Sequence, residues 1–405
     1  MGERLQNITA GRRCRLLPML VLPSVIASCC NPAAPSPLPP AASLQLVVER
    51  AADIDPSGDG SPAGLTVYGG SLFFSAVDGA HGTQLWSYNG AAATRLTDIN
   101  SPTGSAPLLY PTVFNEGART RLYFRAFDGA GNSLYAYDGS SAVTIAGLNL
   151  PQYMTVYNGA LYMGAYDTVS NGEELWSYDG TTATPRADIN ISENGSSFPS
   201  YLTVFNGKLY FRATDGTGNK LWQFDGSNAT EAVDVGVAPH GMKVYNGALY
   251  FCATDGANGY ELWRYDGVTV PTGPVADINS GAGNGLDPTG GMMAVFNGKL
   301  YFRAAADGVS YKLYEYDGSA VRVVSDTGVA SSDMVVYGSA LYYSGNDGVA
   351  GWEPWSYDGA AVGLVKDINP GAGSSNPQQF AEYGGQLYFQ ADDGVTGAEL
   401  WRLRK

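Results

Sequence analysis

Apolar and polar positions alternate along this chain in short runs, and turn residues separate the runs at a near-constant interval. An aromatic residue marks the same place in each copy: Tyr68, Phe114, Tyr157, Phe205, Tyr245, Phe296, Tyr337 and Tyr383, spaced 40 to 51 residues apart. A glycine-bearing turn follows, with Asn-Gly at 158–159, 206–207, 246–247 and 297–298. Asn-Gly between two alternating runs signals a two-residue hairpin, because both turn positions need positive φ. A second run (Leu-Tyr-Phe and variants) leads to an Asp-Gly-rich turn. A third carries Leu-Trp or Leu-Tyr ahead of Tyr-Asp-Gly, and a Val-rich fourth run precedes a loop. Four strands in about 45 residues is the size of one propeller blade, so the pattern predicts an all-β chain, an eight-bladed β-propeller of four-stranded blades.

The eighth copy stops at Lys405, four residues after Trp401, while residues 44–60 match the end of the seventh copy at 364–375. The segment after residue 44 is therefore expected to supply the last blade's missing strand and close the ring, removing two free sheet edges. One aromatic position recurs in the third strand: Trp86, Tyr135, Trp176, Trp222, Trp263, Tyr314, Trp355 and Trp401. Such regularity predicts packing between blades, each ring contributing up to roughly 4–6 kcal/mol from about 150–250 Å² removed from water. An aromatic binding array is the alternative.

Composition adds an address. Arg12, Arg13 and Arg15 precede an apolar run at 16–28, too short to span a bilayer but fitting a signal-peptide core. Ile26-Ala-Ser-Cys29 resembles the bacterial lipoprotein lipobox, making Cys29 the expected lipidated residue after a leader at 1–28. A Pro-rich linker follows within 29–43, then the repeats at 44–405. The expected place is the outside of a bacterial cell, with a lipid anchor in the outer membrane or at the surface. Cys252 alone lies within the repeats, so no disulfide can lace them internally. The formal charge is -15 for the whole chain, and without residues 1–28 the excess of acidic groups grows. Such a surface repels phosphate backbones and excludes nucleic acid as a partner.

Two sets of loops should meet on one face: the turns between strands two and three, which carry Asp78, Asp128, Asp167, Asp215, Asp255, Asp307, Asp347 and Asp393, and the long connections between copies. Those connections repeat Asp-Ile-Asn or Asp-Ile-Asp, giving Asp53, Asp55 and Asp59, Asp98 and Asn100, Asp188 and Asn190, Asp277 and Asn279, and Asp367 and Asn369. Carboxylates and carbonyls at alternate positions before a glycine are what a hard cation needs, so Ca²⁺ is the candidate cofactor. The competing reading is that each Asp or Asn bonds to its own turn's backbone. The long loops follow copies one, three, five, seven and eight; the others have shorter connections. His81 and His240 are the only histidines, in non-equivalent loops, and are expected to be solvated; no catalytic residue is assigned.

The pattern Gly-x-Glu-Leu-Trp-x-Tyr-Asp-Gly followed by Asp-Ile-Asn resembles the ELWxxDGT-repeat family of bacterial exported proteins. Glu174-Leu175-Trp176, Glu261-Leu262-Trp263 and Glu399-Leu400-Trp401 carry its core, and Gly180-Thr181 completes one Asp-Gly-Thr; Leu134-Tyr135 and Pro354-Trp355 depart from it. The resemblance implies fold and address only. A second likeness, of Ala391-x-Asp393-x-x-Thr396-Gly397-x-x-x-Trp401 to the docking motif of eight-bladed quinoprotein dehydrogenases, is out of register, since here the Trp belongs to strand three. The expectation is thus a non-enzymatic binding, scaffold or adhesion module at the cell envelope. It would contact an envelope protein or glycan through its Asp-rich face; the alternative is an enzyme, quinoprotein-like or carbohydrate-active.

Overall fold

Every described strand pairs antiparallel with its neighbours. The computed structural model describes residues 46–99, 109–166, 172–193, 195–233, 237–288 and 293–405. The expected leader, Cys29 and the Pro-rich linker lie outside the described residues, as do Asn100 and Asp167. Strands from copies one, four and eight form four-stranded sheets, and those of copy five a three-stranded one. Copies two and three share a seven-stranded sheet because one long strand, Ala142–Tyr157, ends one copy and begins the next; Val321–Tyr337 does the same for copies six and seven. Asn158, Asn206, Asn246 and Asn297 have φ of 43–48°, and the glycines after them 72–75°, as the hairpin reading requires.

The strand Val47–Ala52 pairs with Ala398–Arg404, joining the first described segment to the last. Arg402 and Arg404 both reach Glu49 across this pairing.

Among the described residues the core is divided among eight apolar clusters, each bridging two consecutive copies. Strand period sets which way a residue faces. In Leu262-Trp263, for example, Trp263 packs toward copy four with Leu221 and Phe251, while Leu262 packs toward copy six with Leu300 and Phe302. The same split holds for Leu175 and Trp176. All eight strand-three aromatics lie against the preceding copy; Trp86 does so with Tyr388 and Leu400 of copy eight. The clusters run from Tyr68 with Tyr137 through Tyr337 with Trp401.

Hydroxyls fasten the other face. Tyr68 donates to the Thr120 carbonyl, Tyr157 to Gly207, Tyr245 to Gly298, Tyr337 to Gly385 and Tyr383 to Gly70, each reaching the first hairpin of the next copy. Phe114, Phe205 and Phe296 stand at this position in copies two, four and six. The first strands of consecutive copies also touch one another, including Gln378–Tyr383 against Ala63–Tyr68.

Candidate functional site

The long loops are held by a buried carboxylate. Glu261, fully enclosed, accepts the N–H groups of Ile278 at 3.0 Å, Asn279 at 3.1 Å and Gly285. Glu353 does the same for Ile368, Asn369 and Ser375, and Glu399 for Ile54, Asp55 and Gly60. Glu174 receives Ile189 N–H and the Ser197 hydroxyl. In copy one Gln84 takes the role, accepting Ile99 N–H and donating to the Ile99 carbonyl. Copies two, four and six have Ser133, Lys220 and Lys312 at this position and lack the long loop. The alternation is thus physical: a loop of unpaired backbone N–H groups and a buried acceptor occur together, because either alone would leave polar groups unsatisfied.

The cation candidates are used within these loops. Asp55 accepts the Ser57 N–H and hydroxyl at 3.1 and 2.7 Å, and Asp59 the Ala398 N–H at 2.8 Å. Asp53 pairs with Arg50, and Asp98 with Arg95. Asn190 bonds to Ser192 and Ser196, Asn279 to Asn284, and Asn369 to Ser374. Asp277 and Asp367 accept the N–H of Gly281 and Gly371, and Asp188 is exposed. Turn carboxylates such as Asp128 and Asp347 cap the two N–H groups of their own turns. Among the described residues no three His, Cys, Asp or Glu side chains are placed to hold one metal ion.

A different set of residues converges where the first strands meet. A β-bulge interrupts these strands in copies one, two, three, four, five and eight, and the bulged residue has positive φ: Gly64, Tyr110, Tyr153, Tyr201, Gly241 and Gln379, at 51–67°. Glycine suits that conformation; a tyrosine costs about 1–2 kcal/mol there. Three consecutive copies nevertheless carry one. Tyr110 and Tyr153 have ring centroids 5.0 Å apart, Tyr153 and Tyr201 5.1 Å, Tyr201 and His240 5.5 Å, and His240 and Tyr260 5.8 Å. Guanidinium groups back the belt: Arg125 lies 5.3 Å from the Tyr110 ring centre, and Arg212 donates to His240 Nε2 at 2.8 Å. A third, Arg303, covers Tyr311 at 3.7 Å and pairs with Asp287. These arginines occupy one position of the second strand, in copies two, four and six.

In copy three that position is Gly164. A Cβ there would sit 2.6 Å from the Pro199 carbonyl oxygen and 2.9 Å from Glu173 Oε1, so the glycine leaves room for that backbone and for a carboxyl group facing Gln152, whose amide is 3.2–3.3 Å away. Burial raises the Glu173 pKa to about 7 against the opposing pull of Arg125 and Gln152. Burial also pushes Tyr201 up to about 12 and raises Tyr110, so both hydroxyls remain protonated donors.

His240 corrects the sequence reading: it is 7% exposed and lies within the strand Val237–Tyr245, not in a solvated loop. His81 is partly exposed, its Nδ1 2.7 Å from Asp78 in the same turn. The belt escaped sequence reasoning because its last members, His240 and Tyr260, stand at offsets other than that of the tyrosines. A signal was present: tyrosine stands four residues before the register aromatic in copies two, three and four.

No protein-family model matches the sequence, and no match is found among curated proteins. Solved structures share its fold. A puromycin hydrolase aligns with a TM-score of 0.53 at 14% identity, over 84% of this chain and 60% of that one. A puromycin-hydrolyzing peptidase of Mycobacterium tuberculosis gives 0.51 at 12%, over 82% and 57%. The β-propeller domain of the trilobed protease from Pyrococcus furiosus gives 0.45 at 11%, over 73% and 95%. The chain thus spans less than two thirds of the two puromycin-hydrolysing proteins. These likenesses correct the expectation of a non-enzymatic binding, scaffold or adhesion module, and of a quinoprotein or carbohydrate-active alternative: the fold is shared with a puromycin hydrolase and a puromycin-hydrolyzing peptidase. The chain is an all-β protein of antiparallel sheets.

Proposed function

We propose that the chain is an eight-bladed β-propeller, closed by the pairing of Val47–Ala52 with Ala398–Arg404, that hydrolyses peptide-like amides bound along the Tyr110–Tyr153–Tyr201–His240 belt. The blade count and closure are supported by the clusters bridging consecutive copies, with Trp86 against Leu400 joining the eighth to the first. The reaction class follows the puromycin-hydrolysing proteins that share the fold.

The observation that carries the site assignment is the row of three positive-φ tyrosines continued by His240. Backbone strain at one equivalent position of three consecutive copies points to a role that glycine, used at Gly64 and Gly241, cannot fill. Aromatic faces suit a ligand with a planar ring or amide. At the belt, Glu173 is the carboxyl group matched to proton transfer near neutrality. Its carboxylate would take a proton from water while the water oxygen adds to the amide carbonyl carbon; the C–N bond then breaks and the proton passes to the departing amine. Arg125 would offset the negative charge on the carbonyl oxygen.

Fluorogenic tyrosyl and phenylalanyl amides incubated with the full chain test this. Release of the fluorophore, lost on the order of a hundredfold in Glu173→Gln with the fold intact, is the expected result. No release from any amide, or release unchanged in Glu173→Gln, overturns it.

A further inference from the structure

Aromatic residues also recur at a second position of the copies. The position before the Glu of Glu-Leu-Trp, or its counterpart, carries Tyr260, Tyr311 and Trp352 in copies five, six and seven. Trp352 is the one tryptophan of the seven that is not at the strand-three packing position. With Tyr311 it lines a cavity of about 350 Å³ whose floor and lip include Gly328, Val329 and Val309.

The walls of this cavity are fixed before any ligand arrives. The Trp352 backbone N–H donates to the Ser374 hydroxyl at 3.0 Å, and its carbonyl accepts the Asn376 N–H at 3.0 Å, so the long loop of its own copy holds its backbone. Arg303 lies against Tyr311 and donates to the Val329 carbonyl at 2.8 Å. Gly328 lies beside these rings: a Cβ there would be 3.3 Å from the Asn346 carbonyl oxygen and 3.6 Å from the Trp352 ring.

The chemistry of the ligand follows from which groups are already engaged. Both cations at the cavity are paired, Arg303 with Asp287 and Lys312 with Asp326 at 2.6 Å. Ser310 is drawn to Asp307, and the Asn346 side-chain oxygen accepts the Gly348 N–H. A charged ligand would find its partners taken, and saccharide hydroxyls would find few free ones. Apolar surface remains, including Val309, which is 80% exposed at the lip.

We propose that this cavity is a subsite for an uncharged apolar side chain of an extended peptide, separate from the tyrosines of copies two to four. Its choice of a peptide rests on the amide-hydrolase reading; the cavity itself does not depend on Glu173.

Binding of fluorescein-labelled hexapeptides to the full chain, read by anisotropy, tests it. One peptide carries Leu or Phe at successive positions and the other Ser throughout. Trp352→Ala and, as a surface variant that spares the fold, Val309→Asn should each weaken the apolar hexapeptide, Trp352→Ala by about tenfold. Equal affinity for the two peptides, unchanged affinity in both variants, or a neutral oligosaccharide bound in their place through Trp352 overturns the subsite. If no amide is hydrolysed but hexapeptide binding depends on Trp352, the subsite stands and the hydrolase reading falls.

Discussion

The Glu399 carboxylate accepts the backbone N–H of Ile54 at 2.7 Å, across 345 positions of sequence. The same side chain accepts Asp55 and Gly60 N–H, so one buried residue of the last strand organises the first described loop. Glu399→Ala would leave three enclosed N–H groups without an acceptor, at about 1–3 kcal/mol each, reduced by whatever water enters. Glu261→Ala should cost a similar amount, because its partners are equivalent. Urea unfolding of both variants checks this. A midpoint unchanged in Glu261→Ala would show that its loop does not need the carboxylate.

Burial raises the folded-state pKa of Glu261 and Glu399 to about 7, against backbone hydrogen bonds that pull it down. An ordinary glutamate, the reference for the unfolded chain, titrates near 4.3. With the folded value above the unfolded one, the folded protein binds more protons between these limits. The contribution of these groups is therefore complete below about pH 4.3 and is lost as pH rises toward and through 7. Glu174 and Glu353 shift in the same direction. Stability measured from pH 5 to 8 should fall, and the slope should shrink in Glu261→Gln. A stability that rises over this range would show the carboxylates ionised in the fold.

Much of the architecture could be read from period and turn chemistry. Asn-Gly hairpins, strand alternation and the strand-three aromatics are local signals, and Trp263 and Leu262 face opposite copies because successive strand residues must. What local signals could not show is how side chains from different copies meet. His240 reads as a loop residue until its pairing with Cys252 places it in a strand beside Arg212. The Glu of Glu-Leu-Trp reads as a motif letter until the loop it holds is seen. The candidate cation residues were legible as a pattern, but the pattern has two physical readings, and the bonds of Asp55 to Ser57 and of Asn369 to Ser374 belong to the capping one.

Calcium would have to displace those bonds to bind. Thermal melts with millimolar Ca²⁺ and with chelator are expected to coincide. A rise in midpoint with Ca²⁺, abolished by Asp55→Ala together with Asp59→Ala, would show that the loop rearranges to hold the ion.

Glu173 also predicts a pH–rate profile. Its carboxylate must be ionised to take a proton from water, so amide hydrolysis should rise through an apparent pKa near 7. Arg125 lowers that value, so Arg125→Met should move the limb to higher pH as well as reduce the rate. A profile flat between pH 5 and 8 would remove Glu173 from the reaction.

Tyr153 separates strain from function most sharply. It lies at φ 51° between Tyr110 and Tyr201, in the conformation that Gly64 and Gly241 adopt at the same position. Replacing it with glycine relieves about 1–2 kcal/mol of backbone strain but removes two ring contacts worth about 0.5–1.5 kcal/mol each. Tyr153→Gly should therefore unfold within about 2 kcal/mol of the parent. Tyr153→Ala, which keeps the strain and loses the rings, should be less stable than either. Binding of a tyrosyl amide should weaken in both variants alike, since both lack the central ring. If Tyr153→Gly binds as the parent does, the strained tyrosines are not where substrate is held.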